Sequence, residues 1–267
     1  MSTDESVPGS ADEVFEIVDL AGVAFHRVDE ARCVDHVTAR CAAGFGGWLV
    51  TPNLEILRQA ATDPEIGRLI ESADMRVADG MPLIWASRLQ GDALPARVCG
   101  SNLISSLPAI AAERGLSIYL LGGDGDAALQ AAAILQRRHP RLRIAGTWYP
   151  PYGFEKRPDQ IDAMAEAIAE AEPDIVFFAL PFPKGEHLLQ KIRHVRPEAW
   201  WVGIGVSLSF LCGDVQRAPR WMQKLGIEWL HRLLQEPGKL ARRYLVLGLP
   251  FALRLLAGSL RRRLQGI

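Results

Sequence analysis

Ser117-Ile118-Tyr119-Leu120-Leu121-Gly122-Gly123-Asp124-Gly125-Asp126-Ala127-Ala128 is the stretch on which the fold turns. Residues 117–121 are uncharged and apolar enough for a strand buried on both faces, and two glycines end it. The run at 124–139 is rich in alanine and leucine, reads as a helix, and is stopped by Pro140. A strand passing through a glycine turn into a helix is half of a βαβ unit, and the same pattern recurs on both sides. Upstream, residues 48–50 form a short strand ending at Thr51-Pro52-Asn53, a helix follows near 54–61, another begins at Pro64, and strand 75–78 ends at Asp79-Gly80 before a helix at 81–89. Ser101 or Asn102 is expected to cap a helix running to Arg114. Downstream come strand 143–148, helix 159–171, strand 174–179, helix 183–195 and strand 200–204.

This alternation predicts an α/β, Rossmann-like, mostly parallel sheet with helices on both faces. Ligands of such sheets bind beyond the carboxyl ends of the strands. Those ends carry small or polar residues: Thr51 and Asn53, Asp79 and Gly80, Gly122 and Gly123, Pro181 and Pro183, Gly203 and Gly205. One cleft built from all of them is the expectation.

The alternation stops after Gly213. Residues 217–267 hold eleven Lys/Arg and only two acids, Glu228 and Glu236, so the segment is about +9 in a protein of formal charge −1. The preceding 216 residues therefore carry about −10, and that asymmetry assigns the tail a separate task. Trp221, Leu225, Trp229, Leu230, Leu233, Tyr244, Leu245 and Phe251 lie among its cations. Cations mixed with large apolar groups suit an anionic membrane surface. Nucleic acid also attracts basic segments, but these apolar residues favour lipid. The longest apolar run, at 244–253, has ten residues. Spanning hydrocarbon takes about 20, so a helix lying on the bilayer is expected, with breaks at Pro237 and Pro250. The organisation expected is a polar, disordered leader at 1–12, an α/β catalytic domain at 13–213 and a basic amphipathic helical appendage at 214–267. An exposed apolar appendage also allows self-association into a homo-oligomer.

The four cysteines form no CxxC pair, so they read as reduced and structural, and no metal-ligand spacing is present. Asp79, at a strand end in the expected cleft, can serve as a general base for an acceptor hydroxyl. Its plainer alternative is the N-cap of the helix at 81–89. Thr51 and Asn53 could hydrogen-bond a sugar or orient a phosphate, with Asn53 also capping the helix from Leu54. Gly123 to Ala128 match G-x-G-x-x-A after a strand and before a helix, a context that favours a diphosphate at the helix N-terminus. A nicotinamide cofactor would need an acid about 20 residues on; Arg141-Leu142-Arg143 stands there instead. A nicotinamide-dependent oxidoreductase is thus a secondary reading. Asp124-Gly125-Asp126 is literally DxD, but two acids in a first helical turn are ordinary dipole complements.

Several segments together resemble the WecG/TagA/CpsF family of bacterial glycosyltransferases, glycosyltransferase family 26. They are Thr51-Pro52-Asn53, Ala78-Asp79-Gly80, Arg97-Val98-Cys99-Gly100-Ser101, the turn at 120–123, and a tail reading Gln216-Arg217-Ala218-Pro219-Arg220-Trp221, Gly226-Ile227-Glu228-Trp229-Leu230-His231-Arg232, Glu236-Pro237 and Arg243-Tyr244. The resemblance covers about residues 14–254. It implies transfer of a sugar, with inversion, from a UDP-sugar to a lipid-linked saccharide at the cytoplasmic face of the membrane, in the building of exopolysaccharide, teichoic acid or a related surface glycan. No metal or other cofactor is implied. Asp79 is implied as catalytic base, Thr51 and Asn53 as active-site polar groups, and Arg97 as a cation in the same pocket. The tail is implied to close over the site while resting on the membrane, bringing Arg232, Lys239 and Arg243 towards the departing diphosphate beside the helix start after Gly122 and Gly123. A Pro150-Pro151-Tyr152-Gly153-Phe154-Glu155 loop resembles one in exopolysaccharide members, which places Tyr152 at the nucleotide or sugar pocket.

The chain departs from the family pattern in three places. Pro183-Lys184-Gly185-Glu186 stands where Pro-Lys-Gln-Glu is usual, keeping Lys184 and Glu186 as substrate-binding groups and losing a glutamine. Ser209 stands for an aspartate in a glycine-rich stretch. Asn102 stands for an aspartate after Ser101. These three changes support another alternative, a catalytically silent scaffold docked on the membrane.

Overall fold

A computed structural model describes residues 13–266, apart from the side chains of Arg220, Lys224, Leu225 and Lys239. The leader expected at 1–12 lies outside them. From the amino end, an antiparallel hairpin of β1 (Ile17–Leu20) and β2 (Val23–His26) precedes helix α1 (Glu30–Ala42). Strand β3 (Gly47–Val50) leads to helices α2 (Leu54–Thr62) and α3 (Pro64–Glu71), then to strand β4 (Met75–Arg76) and helices α4 (Met81–Gln90) and α5 (Gly100–Arg114). The alternation continues through β5 (Ser117–Gly122), α6 (Ala127–Arg138), β6 (Arg143–Trp148), α7 (Pro158–Ala171), β7 (Ile175–Ala179), α8 (Lys184–Ile192), β8 (Trp200–Gly203) and α9 (Ser207–Cys212).

Six of these strands form one parallel sheet in the order β4-β3-β8-β7-β5-β6. Strand alternation divides the core into two. Leu49, Met75, Ile118, Leu120, Phe177 and Val202 face α1, α5, α6 and α9. Trp48, Val50, Tyr119, Leu121, Phe178 and Trp201 face α2, α3, α4, α7, α8 and the hairpin. Burial on both faces explains why the central strands are apolar throughout instead of alternating with polar residues.

Several expectations need correction. The hairpin before α1 was not legible as such, because its four-residue strands are too short to show a period. The strand expected over 75–78 pairs regularly only at β4, but its ladder continues irregularly: the Val77 N–H donates to Val50 O at 3.1 Å and the Asp79 N–H to Pro52 O at 3.0 Å. Helix α5 starts at Gly100 with Cys99 as its uncapped boundary, so Ser101 and Asn102 sit in its first turn rather than capping it. Helix α6 starts at Ala127, and Asp124, Gly125 and Asp126 form an exposed turn before it.

Beyond Gly213 the chain forms α10 (Arg220–Leu225), α11 (Glu228–Gln235), α12 (Pro237–Ala241) and α13 (Leu249–Gln265). The break expected at Pro250 is absent. A π-helical segment, Arg242–Gly248, joins α12 to α13 without interruption, and Pro250 stands in the first turn of α13. Pro250 gives no N–H to the helix, and the wider π turn before it accommodates its ring. The stretch Arg242–Gln265 is consequently long and apolar enough to cross a membrane by length and composition, although only ten consecutive apolar residues were visible in sequence. One stripe of α13, with Leu255 and Ser259 buried, packs on α4, and Arg262 Nη1 reaches Asp19 Oδ1 of the hairpin at 2.6 Å. The opposite stripe leaves Val246, Leu249, Leu253, Leu260 and Leu264 exposed.

Candidate active site

The site forms where the carboxyl ends of β3 and β4 meet residues 97–102. Asn53 and Asp79 are bridged in parallel, so their side chains leave adjacent strand ends. The Val98 N–H donates to Ala78 O at 3.0 Å, which lays Arg97 alongside Asp79. The start of α5 is fixed by close packing, since a Cβ on Gly100 would come within 2.8 Å of Ile204 Cα. The boundary residue of α4 is Gly80, at φ +136°, and makes no side-chain cap bond, which removes capping as the role of Asp79.

Asp79 is surrounded by protein on most sides yet keeps a narrow opening to solvent. Burial pushes its carboxyl up to about 6 from the usual 3.8. Arg97, Arg217 and Arg232 pull it down, while Glu228 pushes it up. Three guanidinium groups and a second carboxylate therefore face it, three of those four from the tail. Glu228 Oε2 accepts from Arg97 Nη1 at 2.9 Å, and Glu228 Oε1 lies 3.4 Å from Arg217 Nε. Arg217 also donates to Asn102 Oδ1 at 2.6 Å and to Ser101 O at 3.3 Å. Asn102 in turn donates from Nδ2 to Glu30 Oε2 at 2.7 Å. An aspartate at 102 could accept from Arg217 but would repel Glu30, so asparagine fits this pair of neighbours.

Farther along the tail, Arg232 lies over the Phe210 ring at 5.6 Å and pairs loosely with Glu236 at 3.8 Å. Arg243 lies over Tyr244 at 5.9 Å, close enough to Glu55 at the start of α2 to lower that carboxyl, after Arg58 and Gln59 have done so. The Nε atoms of both Arg232 and Arg243 are buried and without a hydrogen-bond partner among the described residues. Buried N–H donors are almost always satisfied, and Arg232, one of the three cations facing Asp79, keeps an unsatisfied one. Lys239 stands in α12, but its side chain lies outside the described residues.

The other expected site residues are placed as follows. Thr51 is half-buried two residues before Asn53, and Asn53 Oδ1 accepts from the Glu55 and Ile56 N–H groups, leaving its amide nitrogen for other work. Gly122 and Gly123 adopt φ +96° and +83°. A Cβ on Gly122 would sit 2.6 Å from Ala179 O, and one on Gly123 would sit 3.1 Å from Leu208 Cδ1. Both glycines thus serve a tight turn packed under α9, and Leu208 covers the approach that a dinucleotide fingerprint requires. Lys184 pairs at the surface with Glu155 at 2.6 Å, and Tyr152 is fully exposed at its loop tip, beyond the edge strand β6. Neither is brought to Asp79. Glu186 is buried at the start of α8 with Oε2 unpartnered, and burial pushes its carboxyl up to about 7 from 4.5. A Cβ on Gly185 would come within 2.9 Å of Leu180 Cβ, so this backbone leaves no room for the family's glutamine. Ser209 lies in α9. Among the described residues no group of three or more His, Cys, Asp or Glu could hold a metal ion.

Sequence reasoning did not name Glu228 or Arg217 as site candidates, although both stand in the tail segments that carry the resemblance and Glu228 is one of two acids in a strongly basic tail.

The model of the "Glycosyl transferase WecG/TagA/CpsF family" matches residues 18–265. A protein of Bacillus spizizenii (strain ATCC 23059 / NRRL B-14472 / W23), named N-acetylglucosaminyldiphosphoundecaprenol N-acetyl-beta-D-mannosaminyltransferase, is 34% identical over 197 residues, 74% of this chain and 74% of its own length. A Bacillus subtilis (strain 168) protein of the same name is 31% identical over 197 residues, 74% of this chain and 75% of its own.

Proposed function

The chain belongs to the WecG/TagA/CpsF family of glycosyl transferases, and we propose on that footing that it moves a hexose or N-acetylhexosamine from a UDP-sugar to a saccharide carried on polyprenyl diphosphate. The observation that carries this reading is one carboxyl, Asp79, facing the guanidinium groups of Arg97, Arg217 and Arg232. Asp79 takes the proton of the acceptor hydroxyl. The freed oxygen attacks the anomeric carbon while its bond to the UDP oxygen breaks on the opposite side, and the configuration inverts. Negative charge grows on the departing diphosphate as that bond breaks. Fixed cations aimed at developing charge lower the barrier most, and arginine matches phosphate geometry in two-point contacts. The unpartnered Nε of Arg232, a cation that faces Asp79, supplies a free donor for that charge. Asn53 and Thr51, beside Asp79, orient the acceptor or donor sugar.

Transfer of an N-acetylhexosamine to an N-acetylglucosamine-bearing lipid diphosphate is the narrower version, and it rests on the names of the two Bacillus relatives. The 13–213 unit acts as the catalytic domain and 214–267 as an appendage that closes the site and rests on the cytoplasmic face of the membrane. The exposed leucine stripe of α13, flanked by Arg254, Arg261 and Arg263, supports that placement.

The test is a panel of UDP-sugars incubated with a short-chain lipid-diphosphate N-acetylglucosamine acceptor, with UDP release as readout. Release is expected with an N-acetylhexosamine donor and only when acceptor is present. No release with any donor, or reduction of NAD by a substrate in place of it, would refute the assignment.

A further inference from the structure

We propose that Glu228 is a built-in occupant of the donor's diphosphate site, which an arriving diphosphate must displace. Only the identity of the displacing ligand rests on the glycosyltransferase reading. The carboxylate oxygens of Glu228 go to two different arginines, Oε2 to Arg97 at 2.9 Å and Oε1 to Arg217 at 3.4 Å. These arginines lie 120 residues apart in the chain and on different units of the fold. One carboxylate bridging two such guanidinium groups makes the contacts that two phosphate oxygens would make. All three side chains are largely withdrawn from solvent, at 14% exposure for Glu228, 17% for Arg97 and 26% for Arg217.

Arg217 does not need Glu228 to stay in place, since Asn102 Oδ1 and Ser101 O hold it independently. The main chain at Arg97 is tied by the bond from Val98 N–H to Ala78 O. Removing the carboxylate therefore leaves at least one guanidinium preset for an anion. Glu228 also faces Asp79, a second negative group. A diphosphate carries more charge than the carboxylate it replaces, so it attracts the guanidinium groups of Arg97 and Arg217 more strongly.

The entry of Glu228 is fixed by its turn. Gly226, at φ +74°, lies so close to α4 that a Cβ would meet Met81 Cγ. Helix α11 begins two residues later, and Arg232 stands one turn on from Glu228 on the same face. Arg232, whose Nε is without a hydrogen-bond partner among the described residues, faces Asp79 from the same helix. The empty enzyme thus keeps its anion site neutralised, and donor arrival exchanges a carboxylate for a diphosphate. The opposite role, a permanent clamp that holds the two arginines in position, makes the opposite prediction.

Isothermal titration of the full chain in detergent separates them, using inorganic pyrophosphate and UDP as probes on wild type, Glu228→Gln and Glu228→Asp. Glu228→Gln is expected to bind both probes on the order of tenfold more tightly, about 1.4 kcal/mol. Glu228→Asp, which retracts the charge by one methylene, is expected to tighten binding less; it carries the test if the glutamine variant fails to melt cooperatively. Equal or weaker pyrophosphate binding by a folded variant, or none by any of the three proteins, overturns the proposal. Tighter pyrophosphate binding with no UDP binding by any of them upholds it and refutes the uridine nucleotide donor.

Discussion

Replacing Asp79 with asparagine should separate catalysis from stability in opposite directions. The carboxyl is pushed up to about 6 in the folded protein and sits at 3.8 when unperturbed. Below about pH 4 it is protonated in both folded and unfolded chains and costs the fold nothing. Between about pH 4 and 6 the unfolded chain releases this proton while the folded one retains it, so the wild type loses stability as pH rises through that window. Above pH 6 the full cost of holding a carboxylate among these groups is present. A difference of about two pKa units corresponds to about 3 kcal/mol. Because Asp79 keeps some contact with solvent, about 1–3 kcal/mol is the working figure. Asparagine matches the shape and carries no charge. It should raise the melting temperature at pH 8 by about 2–8 °C and leave it unchanged near pH 4. Turnover should fall by about 10²–10⁴, the usual contribution of a general base. The assay is UDP release at saturating donor and acceptor, beside melts at both pH values. Turnover within a few-fold of wild type would remove Asp79 as the base. A lower melting temperature at pH 8 would show that its carboxylate is held by favourable contacts rather than strained by burial.

Three further outcomes are expected. Glu186→Gln should stabilise the protein above pH 7 by about 2–3 kcal/mol and do little at pH 4, because the buried carboxyl, raised to about 7, costs stability as pH rises from about 4.5; melting curves at the two pH values check it. In Glu228→Gln the acid limb of the pH profile of kcat/KM, which reports the free enzyme, should move to lower pH, since Glu228 raises the Asp79 carboxyl while Arg97, Arg217 and Arg232 lower it; an unmoved limb would show that Asp79 does not set it. Changing Leu253, Leu260 and Leu264 together to serine should weaken binding to anionic vesicles on the order of 10²-fold or more without lowering the melting temperature, because all three are exposed; unchanged vesicle sedimentation would refute contact through that stripe.

The sheet was legible because each of its central strands is buried on both faces. Ile118, Tyr119, Leu120 and Leu121 have no solvated side, and glycine or proline ends each such run where the next helix begins. Asp79 and Asn53 stood out as candidates for the same reason: a polar residue just past an apolar strand lies at the ligand-binding edge wherever the strands are parallel. What escaped the sequence were contacts set by distant parts of the chain. Glu228 and Arg97 are separated by 131 positions, and no local pattern says that the carboxylate of a basic tail turns inward to meet a loop of the sheet domain. Helix continuity through Pro250 escaped because it depends on a π segment, a backbone choice that residue preferences do not record. Tyr152 shows the converse error. Its loop resembles a pocket loop in sequence, yet β6 is the outermost strand, so the tyrosine leaves the sheet at the edge opposite β4 and Asp79. Thr51, Asn53 and Asp79 lie together because β3 and β4 are neighbours, and strand order is what a linear reading of alternating elements does not determine.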